Sequence, residues 1–329
     1  MNEVSPELRW NPQLGDWVIV SAQRETRPWQ LTTTCPFCPG APETLGDWDV
    51  LVLPNRFPAL EPKAEKPALK PKSPYKVSKA NGVCEVVVET REHEGDLCDL
   101  SLEHMAKVIE VFKSRYQKLG SLSYVKYVLI FRNKGAVIGV SLHHPHSQIY
   151  ALPFTPPKIR RELNNAKRYM RRSNRCLFCD ILDFEKSDRI RVIYENEAFT
   201  VFTAFSAMWP YETHIYPRRH VQSLLDLDGE ERLTLADSLR VVTATYNNLF
   251  DFDMPYIMVF HQKPVDGKDY GFYHMHIEFY PPYRDKEKLK YAAGIEWGAG
   301  TFTYDGSPEE RAQELKEACL KAVRKLKGG

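Results

Sequence analysis

Three histidines fall within four residues in Ser141-Leu142-His143-His144-Pro145-His146-Ser147-Gln148-Ile149-Tyr150, and an apolar, strand-like run follows them. Side chains two apart on an extended segment share a face, so His144 and His146 project to one side and His143 to the other. A neutral imidazole beside a second polar group can attack an electrophile or bind a metal, and the spacing leaves both roles open. A related segment recurs at His274-Met275-His276-Ile277-Glu278-Phe279-Tyr280. Two Cys-x-x-Cys turns add soft ligands, Cys35-Pro36-Phe37-Cys38 and Cys176-Leu177-Phe178-Cys179. Such a turn offers two thiolates to one tetrahedral zinc; a redox pair is the alternative, and histidines downstream of each turn favour the metal.

The elements that must position these groups follow from periodicity and punctuation. Residues Trp10 to Val20 read as a strand or hairpin, and the Lys- and Pro-rich stretch 61–80 as an exposed loop. Val83 to Glu89 alternates as a strand. Ser101 caps a helix whose apolar positions are Met105, Val108, Phe112, Tyr116 and Leu119, and Gly120 stops it. Tyr124 to Phe131 is a buried-type strand leading into Arg132-Asn133-Lys134-Gly135. The second half repeats the order. Phe199 to Phe205 is a strand, and Asp228-Gly229-Glu230-Glu231 opens a helix carrying Leu235, Leu239, Val242, Tyr246 and Leu249. Tyr256 to Phe260 is a strand, and a last helix starts at Ser307-Pro308-Glu309-Glu310. The sequence Cys-x-x-Cys, strand, His, helix, strand, His-x-His, strand therefore occurs twice. This duplication predicts an α+β protein of two tandem repeats, 1–165 and 166–329, with helices packed on antiparallel sheets.

Composition sets limits on partners. The 329 residues hold 45 Lys and Arg against 43 Asp and Glu, a formal charge of +2, which gives no footprint for nucleic acid. Hydrophobic content of 43% and charged content of 27% are those of a soluble globular chain. No apolar run reaches the roughly 20 residues of a membrane span, and Met1 to Trp10 lacks the apolar core of a signal peptide. A cytoplasmic protein with no membrane partner is expected. The pairing of four of the 7 cysteines into Cys-x-x-Cys turns points, in that setting, to metal more than to disulfides.

The run Arg132-Asn133-Lys134-Gly135, Ser141, His144-Pro145-His146-Ser147-Gln148 resembles the active-site signature of the galactose-1-phosphate uridylyltransferases, of the histidine-triad superfamily. The resemblance extends from Trp10 to about Phe302. The usual family form has Gly at position 147, and Arg56 stands where some members have an acidic residue. It implies two histidine-triad-like repeats, with the catalytic motif in the first, and a second metal site and a sugar-binding tail in the second. The implied reaction exchanges UMP between UDP-glucose and galactose 1-phosphate, with His146 as the nucleophile that carries the nucleotide and Gln148 as donor to the phosphoryl oxygens. Arg24 and Arg27, in Arg24-Glu25-Thr26-Arg27-Pro28-Trp29-Gln30, together with Asn133 and Ser141, would bind phosphates; Asn55 and Phe57 would hold the nucleoside. Lys290 and Glu296 would bind the sugar, often from the neighbouring subunit, which implies a homodimer with shared active sites.

Two zinc ions per chain are expected on the same basis. Cys35, Cys38, His93 and His144 would hold the first, and Cys176, Cys179, His214 and His274, by repeat symmetry, the second. Family members without these second cysteines bind another metal through a glutamate and three histidines, which would correspond to Glu162, His261, His274 and His276. The nearest rival activity is an ADP-sugar or other nucleotide-sugar phosphorylase with the same histidine chemistry. Hydrolases of the superfamily carry His-x-His-x-His, and Gln148 at the third position argues against one. A zinc-dependent nucleic-acid-binding protein is disfavoured by the near-neutral charge and by Cys-to-His separations too long for compact fingers.

Overall fold

The computed structural model describes residues 5–22 and 35–328. The N-terminal segment folds as the expected hairpin, β1 (Glu7–Asn11) and β2 (Asp16–Val20), turned at Gly15, whose φ of +69° suits a residue without a Cβ. After β3 (Leu51–Pro54), the exposed stretch carries one short strand, β4 (Val77–Lys79), which pairs with β1.

β5 (Val83–Val88), β6 (Tyr127–Lys134) and β7 (His146–Leu152) complete the strands of the first half. The second half supplies β8 (Val192–Glu195), β9 (Phe199–Thr203), β10 (Thr213–Pro217), β11 (Tyr256–His261) and β12 (His276–Tyr280). With β3 these form a nine-stranded antiparallel sheet in the order β3-β5-β7-β6-β11-β12-β10-β9-β8. The order shows the duplication: β5-β7-β6 in one half matches β10-β12-β11 in the other. The two halves join where β6 pairs with β11, from Tyr256↔Lys134 to Phe260↔Ile130. Each His-x-His segment thus feeds the middle strand of its triplet.

Helix α1 (Leu102–Gly120) starts where expected, with Ser101 Oγ accepting from His104 N at 3.1 Å, and buries Met105, Val108, Phe112, Tyr116 and Leu119. Two further helices, α2 (Pro157–Ser173) and α3 (Leu177–Asp188), come before α4 (Gly229–Asn247). α4 opens with a capping box between Asp228 and Glu231. A short α5 (Gly294–Ala299) and the long α6 (Pro308–Gly328) end the chain.

α1, α4 and α6 cover one face of the sheet, over Val128, Ile130, Ile149, Ile215, Met258, Phe260 and Ile277. α2 and α3, which the sequence reading did not anticipate, pack on the other face with Tyr127, Leu152, Phe202, Tyr216 and Tyr273. The even-numbered residues of β7 and β12, including His146, Gln148, His276 and Glu278, point to this second face. The alternation of the strands decides that placement. Among the described residues no helix is long and apolar enough to cross a membrane.

Candidate active site

The first metal cluster lies at the entry to β7. Cys35, Cys38, His93 and His144 bring their ligand atoms within 4.8 Å of one another. Cys38 Sγ is 3.3 Å from His93 Nδ1, and both sulfurs are 3.7 Å from His144 Nδ1. His144 is buried, and its Nε2–H donates to the Thr90 carbonyl at 2.9 Å. That bond fixes the tautomer and turns the Nδ1 lone pair toward the thiols. Burial also lowers the His144 pKa, which keeps the ring in its neutral, metal-binding form. Two sulfurs and two imidazole nitrogens make a closed set suited to structural zinc.

Pro145 separates this ligand from His146. His146 Nδ1–H donates to the His144 carbonyl at 2.8 Å, so the ring's basic lone pair is on Nε2. Phe37 packs edge-on against both rings, with centroids 6.1 Å from His144 and 5.4 Å from His146. His146 and Gln148 line a cavity of about 230 Å³ together with Phe37, Asn55, Phe57 and Ser141. Asn55 Oδ1 accepts from Phe57 N at 2.9 Å and shapes the loop that presents both residues. Arg56 and Glu43, 3.8 Å apart, complete the rim. Asn133, near the end of β6, lines an adjoining smaller hollow that also reaches His146. Five of the expected site residues therefore share one cavity and a sixth adjoins it. Arg24 and Arg27 lie outside the described residues.

Lys290 and Glu296 do not line these hollows. Lys290 is buried, with its ammonium donating to the Thr303 carbonyl. Glu296 accepts from Ala293 N at 3.0 Å and from Thr303 Oγ1 at 2.9 Å, which holds its carboxyl at about 2. Tyr291, Ile295 and Trp297 around them are exposed.

The second cluster corrects one expected ligand. Cys176, Cys179 and His274 meet His220, not His214, again with all ligand atoms within 4.8 Å. Cys179 Sγ is 3.2 Å from His220 Nδ1 and 3.5 Å from His274 Nδ1. His214 lies inside β10, where the pleat aims its ring along the sheet face to Glu212, at 3.0 Å, and Glu278, at 3.6 Å. His220 lies three residues past the end of that strand, where the chain is free to turn toward the cysteines. Burial, reinforced by His220 and His276, pushes the His274 pKa down to about 3. The donor set again fits zinc.

The alternative ligand set is divided. His274 goes to the cysteines, while Glu162, His261 and His276 gather with Glu278 in a third cluster. His261 Nδ1 is 3.0 Å from Glu162, and its Nε2 is 3.4 Å from Glu278; His276 Nε2 is 3.3 Å from Glu278. Lys158, from α2, also reaches Glu278 at 2.5 Å. Burial raises the Glu278 carboxyl, but His261, His214 and Lys158 outweigh it and keep that group well below the usual range.

Sequence comparison finds relatives over nearly the whole chain. The family described as galactose-1-phosphate uridyl transferase, N-terminal domain, matches residues 1–156, and its C-terminal domain matches 162–325. The chain belongs to the galactose-1-phosphate uridylyltransferase family. A relative from Thermotoga maritima bearing that name is 41% identical over 94% of this chain and 98% of its own length. One from Haemophilus influenzae is 31% identical over 94% of each. Among solved structures, a uridylyltransferase superposes with a TM-score of 0.89 at 41% identity, covering 96% of this chain and 99% of its own. An ADP-glucose phosphorylase from Arabidopsis thaliana reaches 0.74 at 26% identity, covering 95% and 99%. The uridylyltransferase fold thus accounts for the α+β architecture with antiparallel sheets.

Proposed function

We propose that this member of the uridylyltransferase family exchanges UMP between UDP-glucose and galactose 1-phosphate, with His146 carrying the nucleotide between two half-reactions. The observation that supports it most is the His146 ring, with its Nδ1–H committed to the His144 carbonyl and its edge on a cavity shared with Gln148, Asn55 and Phe57. In the first half-reaction the Nε2 lone pair attacks the α-phosphorus. A P–N bond forms, the P–O bond to the sugar 1-phosphate breaks, and that phosphate leaves with the electron pair. In the second, an oxygen of the incoming sugar 1-phosphate attacks the same phosphorus and the P–N bond breaks. The imidazole enters and leaves neutral. Gln148 donates its amide N–H to a non-bridging oxygen as charge builds there. Asn133, Ser141, Arg24 and Arg27 bind the phosphates, and Asn55 and Phe57 the nucleoside.

Zinc at Cys35, Cys38, His93 and His144, and at Cys176, Cys179, His220 and His274, is structural in this reading. Its effect on the reaction is to fix His144, and through Pro145 the position of His146. Units 1–165 and 166–329 carry the catalytic motif and the second cluster respectively. Lys290 and Glu296 take the sugar of a partner's site in a cytoplasmic homodimer, which agrees with their distance from the His146 cavity and with exposed Tyr291 and Trp297 beside them.

Incubation with UDP-glucose labelled in its α-phosphate, without acceptor, tests the mechanism. Acid-labile label mapped to His146 is expected, with ping-pong kinetics; exchange that proceeds without any label on the protein rejects it. ADP-glucose in a parallel incubation tests the nucleotide, and UDP-glucose is expected to label faster.

A further inference from the structure

The backbone ladder ties the segment that carries His146 to β5 but not to β6. β5 and β7 pair only as far as Val88↔His146, and β6 and β7 only as far as Phe131↔Gln148. Beyond Phe131, β6 continues through Arg132 and Asn133 paired with β11 but not with β7. At the level of the nucleophile, therefore, the strand with Asn133 and the strand with His146 have no main-chain link.

A buried side-chain bridge spans that gap on the opposite face of the sheet. Glu89, fully buried, follows directly on β5. Its Oε1 accepts from Ser147 Oγ at 2.5 Å, and its carboxylate accepts from Arg132 Nε at 3.0 and 3.2 Å. Ser147 stands between His146 and Gln148; Arg132 stands next to Asn133. The same short segment holds the flanking residues through its main chain. Glu89 N donates to the Pro145 carbonyl at 3.1 Å, and the Thr90 carbonyl accepts from His144 Nε2. His104 Nε2–H donates to the Glu89 carbonyl at 2.7 Å, which ties the segment to α1.

Arg132 is itself fixed. Its Nη1 donates to Tyr256 Oη at 2.9 Å and lies 3.1 Å from Asp96, and Lys134 meets the other Asp96 oxygen at 2.6 Å. Two buried carboxylates thus face two cations, so the ions are paired and hydrogen-bonded as burial requires. None of these side chains lines the nucleoside cavity, while Arg132 and Lys134 border the smaller hollow beside Asn133 and neither Glu89 nor Ser147 does.

We propose that Glu89 is a positioning residue for His146: its carboxylate ties Ser147 to Arg132 and so sets the distance from the nucleophile and Gln148 to the phosphate-binding Asn133. An in-line attack tolerates little error in that distance, and a displacement near 1 Å costs on the order of a hundredfold in rate. The inference rests on His146 as the nucleophile.

Its test compares the wild-type, metal-loaded full-length protein with Ser147→Ala and Glu89→Gln in single-turnover labelling of His146 from UDP-glucose. Ser147→Ala removes the hydroxyl that reaches Glu89 and leaves the ion pairs in place. It is expected to slow labelling about tenfold or more. The half-saturating UDP-glucose concentration should change less than about twofold, and metal content should stay as in the wild type. Glu89→Gln keeps the shape and an acceptor for Ser147 while weakening the hold on Arg132, and should also slow labelling. If it fails to fold, Ser147→Ala decides alone. A folded Ser147→Ala that labels at the wild-type rate overturns the inference. So does a slower rate accompanied by metal loss, because the bridge would then serve the cluster and not His146. A wild-type protein that never labels removes the histidine mechanism, and this inference with it.

Discussion

Strands β7 and β12 each follow a histidine that joins two cysteines and a histidine from beyond a neighbouring strand. In each, the next histidine donates Nδ1–H to the carbonyl of the first, at 2.8 Å for His146 and 3.2 Å for His276. The surroundings then part. His146 opens onto a cavity and is followed by Gln148, a neutral donor. His276 is 1% exposed, packed against Phe178, Tyr216 and Tyr273, and is followed by Glu278, which pairs with His261, His214 and Lys158. The same turn of two cysteines and two histidines thus leads into a ring that faces a cavity in one repeat and into a buried ring in the other. The two differ in whether helices close the face above the ring and in whether the residue two further on is a neutral amide or a carboxylate. α2 and α3 close that face in the second repeat.

The sharpest way to break the comparison is to exchange the two histidines' fates. His146→Asn should reduce UMP exchange by roughly 10⁴-fold or more, as loss of a covalent nucleophile does. His276→Asn should leave labelling of His146 intact while lowering resistance to denaturant. Initial rates and urea unfolding of both variants read this, and comparable activity losses would erase the distinction. A second variant makes the first strand read like the second. Gln148→Glu places a carboxylate beside the phosphoryl oxygens and should cost roughly 10²–10³-fold in turnover with metal content unchanged. Retained turnover would mean that Gln148 is not the donor. The smallest effect on turnover should come from the cluster far from the chemistry. Cys176→Ser should remove one metal equivalent and lower Tm by several degrees with most activity kept, whereas Cys35→Ser should lose both metal and activity. Elemental analysis beside steady-state rates distinguishes the two, and equal activity in both variants would contradict a role for the first cluster in placing His146.

Much of this asymmetry is legible in the sequence. Period-two spacing puts His144 and His146 on one side, and resemblance to the family divides ligand from nucleophile between them. Ser101 and Asp228 announce α1 and α4 because capping leaves a local signature. His214 misled because it sits in the strand where repeat symmetry looks for a ligand. The correct parallel was the position after the strand: His93 follows β5, and His220 follows β10, its counterpart beside the His-x-His strand. α2 carries little apolar signal because its pattern is dominated by exposed Arg and Lys. Its buried stripe is only Ile159, Leu163 and Ala166. With α2 went Glu162 and Lys158, so the third cluster was visible only as part of a borrowed ligand set. The Glu89 bridge has no sequence pattern either, since it joins three strands and depends on where two ladders stop.

The seam between β6 and β11 has a consequence for how the chain is made. β6 emerges from the ribosome with one edge bare, and it stays bare until residues 256–261 follow. Throughout the synthesis of α2, α3, β8 to β10 and α4, the half-built sheet offers the apolar run Tyr127-Val128-Leu129-Ile130-Phe131 along an open edge. Such an edge is a template for pairing with other nascent chains. The half that holds the His-Pro-His segment is therefore also the half that must be shielded longest, and a premature stop anywhere before β11 would release it unshielded.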